Sequence, residues 1–135
     1  MNELNYTAPG GLILSNYGTT VLANNTANSR TLTVPNGKRW ILFGGDIYNA
    51  DNVARACTVR IVSATDEQIV YFFNGVSIGA GAHGPYPSIS LAGGLSTVIS
   101  LPLKEGWKIY FYWAAGGASA GGTATSSALV LEVPY

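Results

Sequence analysis

Charged residues are scarce in this sequence. Seven Lys and Arg balance seven Asp and Glu among 135 residues, so charged residues make up 10% of the chain and the net charge is zero. Globular proteins usually carry about 25% charged residues. Binding to nucleic acid by counterion release needs a basic surplus, so we expect no nucleic-acid partner. A neutral chain also lacks the net charge that opposes self-association, and we therefore expect copies of this chain or another protein to cover part of its surface.

Reactive side chains are equally scarce. Cys57 is the only cysteine and His83 the only histidine, so the chain cannot form an internal disulfide or build a zinc site from Cys and His. The segment 79–87 around His83 matches G-x-G-x-x-G, but Pro85 and Pro87 occupy the place where a nucleotide-binding motif needs a helix. We therefore predict no catalytic, cofactor-binding or metal-binding residues, and we interpret this segment as a mobile loop tip.

Long hydrophobic runs are absent as well. No apolar stretch approaches the ~18–20 residues of a membrane helix, and residues 1–5 lack the features of a signal peptide. We therefore expect no membrane partner and no secretion.

Glycine and proline, in contrast, punctuate the whole chain. Between the 17 glycines and 6 prolines lie short runs rich in Val, Ile, Thr and aromatic residues, which is typical of strands. We predict an all-β fold, a jelly-roll-like antiparallel sandwich with about eight to ten short strands. Residues 1–18 are expected to form an N-terminal arm and residues 19–135 a single sandwich domain. The predicted strands lie near 11–16, 19–23, 30–34, 39–49, 54–63, 68–78, 88–91, 96–103, 107–115 and 124–133. A turn is predicted at Pro35-Asn36-Gly37, where proline fixes φ and Asn-Gly favours a positive φ.

Several of these strands are apolar on both faces. Between residues 107 and 113, the tryptophans, Ile109 and Phe111 predict a core face, whereas Lys108 and two tyrosines alternate with them. In the strand 39–49, Ile47 is predicted to face away from Trp40. A sandwich needs only one buried face per sheet, so the apolar residues on the other faces predict a subunit contact. The predicted interface residues are Leu12, Ile13, Leu14, Phe43, Tyr48, Phe72, Tyr86, Tyr110 and Tyr112.

Three of these tyrosines allow a second interpretation. Tyr86, Tyr110 and Tyr112 have amphipathic rings that could stack on sugars or lie in a protein interface, where tyrosine is enriched. The spacing of these residues does not distinguish sugar binding from a protein interface, so a glycan ligand is kept as an alternative.

Two segments carry a family resemblance. Residues 30–42, with Val34-Pro35 ahead of Trp40, and residues 101–111, with Pro102 ahead of Trp107, resemble small virion proteins of tailed bacteriophages, among them head decoration (cement) and minor capsid proteins. The similarity covers roughly residues 30–133. It implies a β-sandwich, a structural role in the virion, homotrimers and contact with the major capsid protein or another virion protein. It implies no catalytic residues.

Two functional hypotheses follow. The first is a non-enzymatic virion structural protein, an oligomeric capsid decoration or stabilising protein. The alternative is a carbohydrate-binding β-sandwich, either lectin-like or a phage receptor-binding module. Scarce charge and apolar strand faces favour the first, and the tyrosines favour the second.

Overall fold

The computed structural model describes residues 6–8, 11–23, 25–86, 89–90, 96–97, 100–116 and 122–134. Within these ranges the chain forms strands, turns and loops, and it contains no helix that could cross a membrane. The predicted all-β sandwich is confirmed. The strands are β1 (Tyr6–Ala8), β2 (Gly11–Leu22), β3 (Asn28–Thr33), β4 (Lys38–Asn49), β5 (Arg55–Val62), β6 (Gln68–Ile78), β7 (His83–Tyr86), β8 (Ile89–Ser90), β9 (Ser96–Thr97), β10 (Leu101–Leu103), β11 (Lys108–Trp113) and β12 (Gly122–Pro134).

Two antiparallel sheets pack against each other. The first sheet has the order β1-β2-β12-β4-β10, and β7 pairs with β4 beyond the end of β10. The second sheet has the order β3-β11-β5-β6, and β8 and β9 form a separate pair. Successive strands from β2 to β5 alternate between the two sheets, as do β10, β11 and β12, so the connections tie the layers together.

Turn residues stand where the sequence predicts them. The predicted turn at Pro35-Asn36-Gly37 joins β3 to β4, and Gly37 adopts a positive φ of 73°. The amide of Lys38 donates to the carbonyl of Pro35 over 3.2 Å, which closes the turn. Glycine is favoured there because a Cβ makes this backbone conformation unfavourable.

The core lies between the sheets and follows the period of two in the strands. In β11, Ile109, Phe111 and Trp113 are fully buried, as predicted, whereas the alternate residues stay partly exposed. Trp107 precedes β11 and is only half-buried against the core. Cys57 is fully buried opposite Trp113, and this burial raises the pKa of its thiol to about 12.

A bulge in β4 corrects the predicted orientation of Ile47. The register with β12 shifts so that Leu129 is opposite Gly44 while Val130 is opposite Leu42. The extra residue reverses the alternation beyond the bulge. Ile47 therefore joins Trp40 and Leu42 in the core instead of facing away from them.

Half of the described part of the segment predicted as a loop tip, residues 79–86, is a strand. His83–Tyr86 forms β7 and pairs with β4 from Gly45 to Tyr48. The prediction was wrong for these four residues. The three glycines and two prolines of residues 79–87 are typical of loops, whereas β4 offers a free edge beyond β10 on which even a proline-containing strand can pair.

The predicted boundary after residue 18 falls inside β2. This strand pairs with β12 continuously from Leu12 to Leu22, so residues 11–18 are part of the first sheet and not separate from it. Residues 6–8 of the expected arm form β1 on the outer edge of β2. The rest of that arm, residues 1–5, 9 and 10, lies outside the described residues.

Candidate interaction faces

One half of the first sheet is apolar on its outer side. Leu131 on β12 lies directly between Ile13 on β2 and Ile41 on β4. Because Val130 and Leu42 are buried, alternation turns their neighbours outward. Leu129 is 39% exposed. We name this surface the apolar face; it comprises Ile13, Ile41, Phe43, Leu129 and Leu131.

The other half of the same outer surface is polar. Along β12, Thr123, Thr125 and Ser127 continue the outward positions beyond Leu129. Thr125 lies between Thr19 and Tyr48. The change from leucine to hydroxyl side chains within one strand confines the apolar face to one end of the sheet.

A cavity of about 540 Å³ adjoins the apolar face. Pro102 on β10 pairs with Ile41, so it extends the outer surface toward the end of the sandwich. The Nζ of Lys104 lies 5.8 Å from the ring centre of Trp107. The cavity combines apolar walls with two cations, and its lining residues are Arg39, Pro102, Leu103, Lys104 and Trp107.

His83 forms an exposed cluster with two residues of β4. Its Nδ1 lies 2.6 Å from Oδ2 of Asp46, and its ring stacks on Tyr48 with centroids 4.3 Å apart. The carboxylate orients the imidazole. For nucleophilic catalysis, a nucleophile would also have to lie within hydrogen-bond reach of the other ring nitrogen. Among the described residues, the second neighbour is Tyr48, which stacks on the face of the ring, so we interpret the cluster as part of the surface and not as a catalytic site.

The second sheet carries aromatic and polar side chains on its outer side. A row crosses all four strands, with Thr31 opposite Tyr110, Tyr110 opposite Arg60, and Arg60 opposite Tyr71. The rings of Tyr110 and Tyr112 stand nearly parallel, 6.2 Å apart. The guanidinium of Arg60 lies 4.9 Å from the ring centre of Tyr110.

These side chains enclose a depression of about 260 Å³. One wall comes from a register shift between β5 and β6, which leaves Asn74 and Gly75 opposite Thr58. The amide of Gly75 donates to the hydroxyl of Thr58 over 3.0 Å and holds this wall. We name the surface the tyrosine–arginine depression; it is lined by Thr58, Arg60, Tyr71, Asn74, Tyr110 and Tyr112.

A buried ion pair lies at one end of the sandwich, where the sequence predicts none. Arg55 is 1% exposed, and its Nε donates to Oδ2 of Asp51 over 2.8 Å. Its other nitrogens donate to the carbonyls of Ala23, Thr26 and Ala114. The position of Arg55 at a strand start suggests a solvated residue, so no local signal predicts its burial.

Tyr86 on β7 is buried opposite Gly45, next to the bulge in β4. Its hydroxyl donates to the carbonyl of Ser127, and burial raises the pKa of its phenol. Gly45 permits this because a Cβ there would lie 2.5 Å from the Tyr86 hydroxyl and 1.9 Å from the Ser127 carbonyl. The prediction of Tyr86 as an interface or sugar-stacking residue is therefore corrected, since its ring is 3% exposed and belongs to the core.

The predicted interface residues do not form one surface. Ile13, Phe43 and Tyr48 lie on the outer side of the first sheet, whereas Tyr110 and Tyr112 lie on the outer side of the second. The others turn inward. Leu14 and Phe72 pack against the core with Tyr86, and Leu12 shares the inward side of β2 with Leu14.

Comparison with known proteins gives no family. No protein-family model and no curated protein matches the chain. Solved structures similar to it include a chain of infectious bursal disease virus Gx strain, with a TM-score of 0.41 and 10% identity over 99% of this chain and 34% of that one. A chain of the Gt strain gives 0.35 and 11% over 98% and 33%.

A third similar chain comes from the crystal structure of the T13 infectious bursal disease virus particle, with a TM-score of 0.30 and 12% identity over 89% of this chain and 35% of that one. The present chain thus spans about a third of the length of these viral chains. Similarity at this level assigns no function to it.

Proposed function

We propose that this chain is a non-enzymatic structural protein of a virion, which assembles as a homotrimer through the apolar face and contacts the major capsid protein or another virion protein. The apolar face carries the proposal. A two-layer sandwich buries the inner side of each sheet, so a second apolar surface outside the sandwich needs another partner.

The occupant that fits the apolar face best is a second copy of the chain. The face contains no charged side chain, and the whole chain has no net charge, so two copies meet without long-range repulsion. Burying a large apolar side chain contributes about 1.5–3 kcal/mol. A few such residues on each subunit offset the ~4–15 kcal/mol that association costs.

The adjoining cavity favours a ring over a twofold dimer. A protruding side chain of one copy can enter the cavity beside Pro102 and Trp107 on the next. Such a contact joins two different surfaces, and head-to-tail contacts close into rings when the rotation permits. The ring size of three rests on the resemblance to phage virion proteins, which implies homotrimers.

The strand order supports a virion role at the level of architecture. We infer a jelly roll, because β2-β12-β4-β7 packs against β3-β11-β5-β6, the pattern of two interlocked Greek keys that viral capsid and lectin domains use. A fold hosts many functions, so the resemblance of residues 30–133 to phage virion proteins selects the capsid role from these.

Light scattering after size exclusion tests the assembly. Light scattering of the wild-type protein should give three times the chain mass of 14.1 kDa. Leu129→Lys places a cation in the apolar face of every copy and should give monomers. Its matched control is Thr125→Lys, on the same strand and side but in the polar half, and it should remain trimeric. A wild-type monomer at micromolar concentration, or an unchanged Leu129→Lys trimer, would refute the proposed contact.

The virion role has a separate test. Mass spectrometry of purified particles should detect the chain in stoichiometric amounts, and its gene should neighbour those of capsid and portal proteins. His83→Ala should leave assembly and incorporation intact, because the His83–Asp46 cluster lies on the polar half of the sheet. Absence from particles would refute the virion role even if the trimer forms.

A further inference from the structure

We propose that the tyrosine–arginine depression binds an acidic sugar residue, a pyranose that carries a carboxylate. This site lies on the sheet opposite the apolar face, so the proposal does not depend on the assembly described above.

The guanidinium of Arg60 is available for an anion. Arg60 forms no ion pair with the described residues. Its hydrogen bonds there are limited to a long one of 3.5 Å from Nη1 to Oε1 of Gln68, and its buried Nε has no acceptor. The nearby cation Lys108 is already paired with Asp66 at 2.8 Å. Arginine offers planar paired donors that match a carboxylate.

The tyrosines supply the surface for the sugar ring. Tyr71 is 44% exposed, and Tyr110 and Tyr112 are half-buried, so their rings are held by the sheet yet accessible. A tyrosine combines an apolar ring with a polar tip, which suits a pyranose with its C–H and hydroxyl groups. Arg60 covers the ring of Tyr110, so the stacking surface beside the guanidinium is the exposed ring of Tyr71, which lies opposite Arg60 on β6.

The polar wall and the size limit the ligand to about one sugar unit. Thr58 and the exposed amide of Asn74 border the depression and offer hydrogen bonds to hydroxyl groups. The volume of about 260 Å³ is just below the ~300–1,000 Å³ of sites for drug-sized ligands. A longer acidic glycan would therefore place one residue in the depression and extend along the sheet.

Amide chemical-shift titration of the full-length labelled protein tests the site. The probes are N-acetylneuraminic acid and glucuronic acid, with galactose and glucose as neutral comparators. At least one acid should bind about tenfold more tightly than the neutral sugars, since a charge-assisted hydrogen bond contributes that much. The shifts should cluster at residues 58–60, 71–75 and 110–112. The two acids distinguish a sialic-acid-type ligand from a uronic-acid-type ligand.

Variants separate charge from stacking. Arg60→Gln should reduce the affinity for the acid to that of a neutral sugar, and Arg60→Lys should recover only part of it. The matched control Lys108→Gln removes a paired cation from the same sheet face and should bind like the wild type. Tyr71→Ala should weaken acidic and neutral sugars alike.

Several outcomes would overturn the proposal. These are equal affinities for acidic and neutral sugars, unchanged binding by Arg60→Gln, or shifts outside the depression. An absence of sugar binding together with loss of the trimer in Tyr110→Lys/Tyr112→Lys would also overturn it and assign this surface to contact between copies.

Discussion

The outer sides of the two sheets differ although both sheets use the same inner pattern. In both β12 and β11 every second residue is buried in the core; Val130 is an example on β12 and Phe111 on β11. Outward, β12 presents leucines at one end and hydroxyl groups at the other, whereas β11 presents tyrosines. Packing between the sheets constrains the side chains that point inward, whereas the side chains that point outward can vary. The two outer surfaces can therefore differ in the partners that we propose for them.

Two arginines on β5 give the largest expected contrast. Arg55→Gln should lower the free energy of unfolding by about 3–5 kcal/mol, because it leaves Asp51 buried without its cation. Arg60→Gln should cost only about 0.5–1 kcal/mol, because Arg60 faces outward, has no ion partner among the described residues and loses mainly its contact with the ring of Tyr110. Urea denaturation checks both. Equal losses would mean that the inner and outer positions of β5 are not energetically distinct.

Two adjacent residues of β11 provide the same contrast without charge. Phe111→Ala should cost about 3–5 kcal/mol through the cavity it leaves in the core. Tyr110→Ala loses contacts with Tyr112 and Arg60, which are each worth about 0.5–1.5 kcal/mol. Thermal denaturation should therefore give a clearly lower melting temperature for Phe111→Ala than for Tyr110→Ala. The reverse order would place the core on the other side of β11.

Tyr86 and Tyr17 allow a buried and an exposed tyrosine of the first sheet to be compared. Tyr86→Phe should cost about 1–3 kcal/mol, because Tyr86 is buried and the carbonyl of Ser127 loses this donor. Tyr17 on the same sheet is 41% exposed, so Tyr17→Phe should change stability by less than about 0.5 kcal/mol. Chemical denaturation compares the two. A neutral Tyr86→Phe would indicate that water reaches this carbonyl.

The smallest expected effect concerns the thiol of Cys57. Its pKa is raised to about 12 by burial, against about 8.5 in an unfolded chain. Both states are protonated below that lower value, and above it only the unfolded state loses the proton, so stability should fall as the pH rises from about 8.5 toward 12. Denaturation at pH 7 and 9.5 should show a smaller decrease for Cys57→Ala than for the wild type.

A reactivity assay complements that measurement. The folded wild type should not react with a thiol reagent at pH 8, whereas Cys57→Ala/Thr58→Cys, which moves the thiol one position outward, should react readily. Rapid reaction of the wild type would contradict the burial of Cys57.

Local sequence patterns predicted much of this fold for a physical reason. β6 was predicted with its observed bounds, Gln68–Ile78, because polar turn residues precede it and glycine follows it. The turn at Gly37 was predicted because its conformation depends on neighbouring residues alone. β7 was missed because its pairing depends on the free edge of β4, which is distant in sequence.

The candidate sites were less predictable. Tyr110 and Tyr112 could be placed outward from alternation within β11, since one strand contains the signal. Arg60 and Tyr71 could not be joined to them, because strand order and register decide which residues lie side by side. Likewise, Phe43 was predicted at a contact, but its neighbours Leu129 and Leu131 come from β12, more than half the chain away.

The sequence by itself determined the all-β class and the core side of β11. Alternation of apolar residues with a period of two is a local property, and water exclusion acts on it wherever the strand packs. The tertiary structure decided that Ile47 and Tyr86 face inward, that Arg55 is buried beside Asp51, and that the surplus apolar and aromatic residues divide between two opposite surfaces. Each of these depends on a bulge, an edge or a register between distant strands, and a one-residue shift in register exchanges the two sides of a strand.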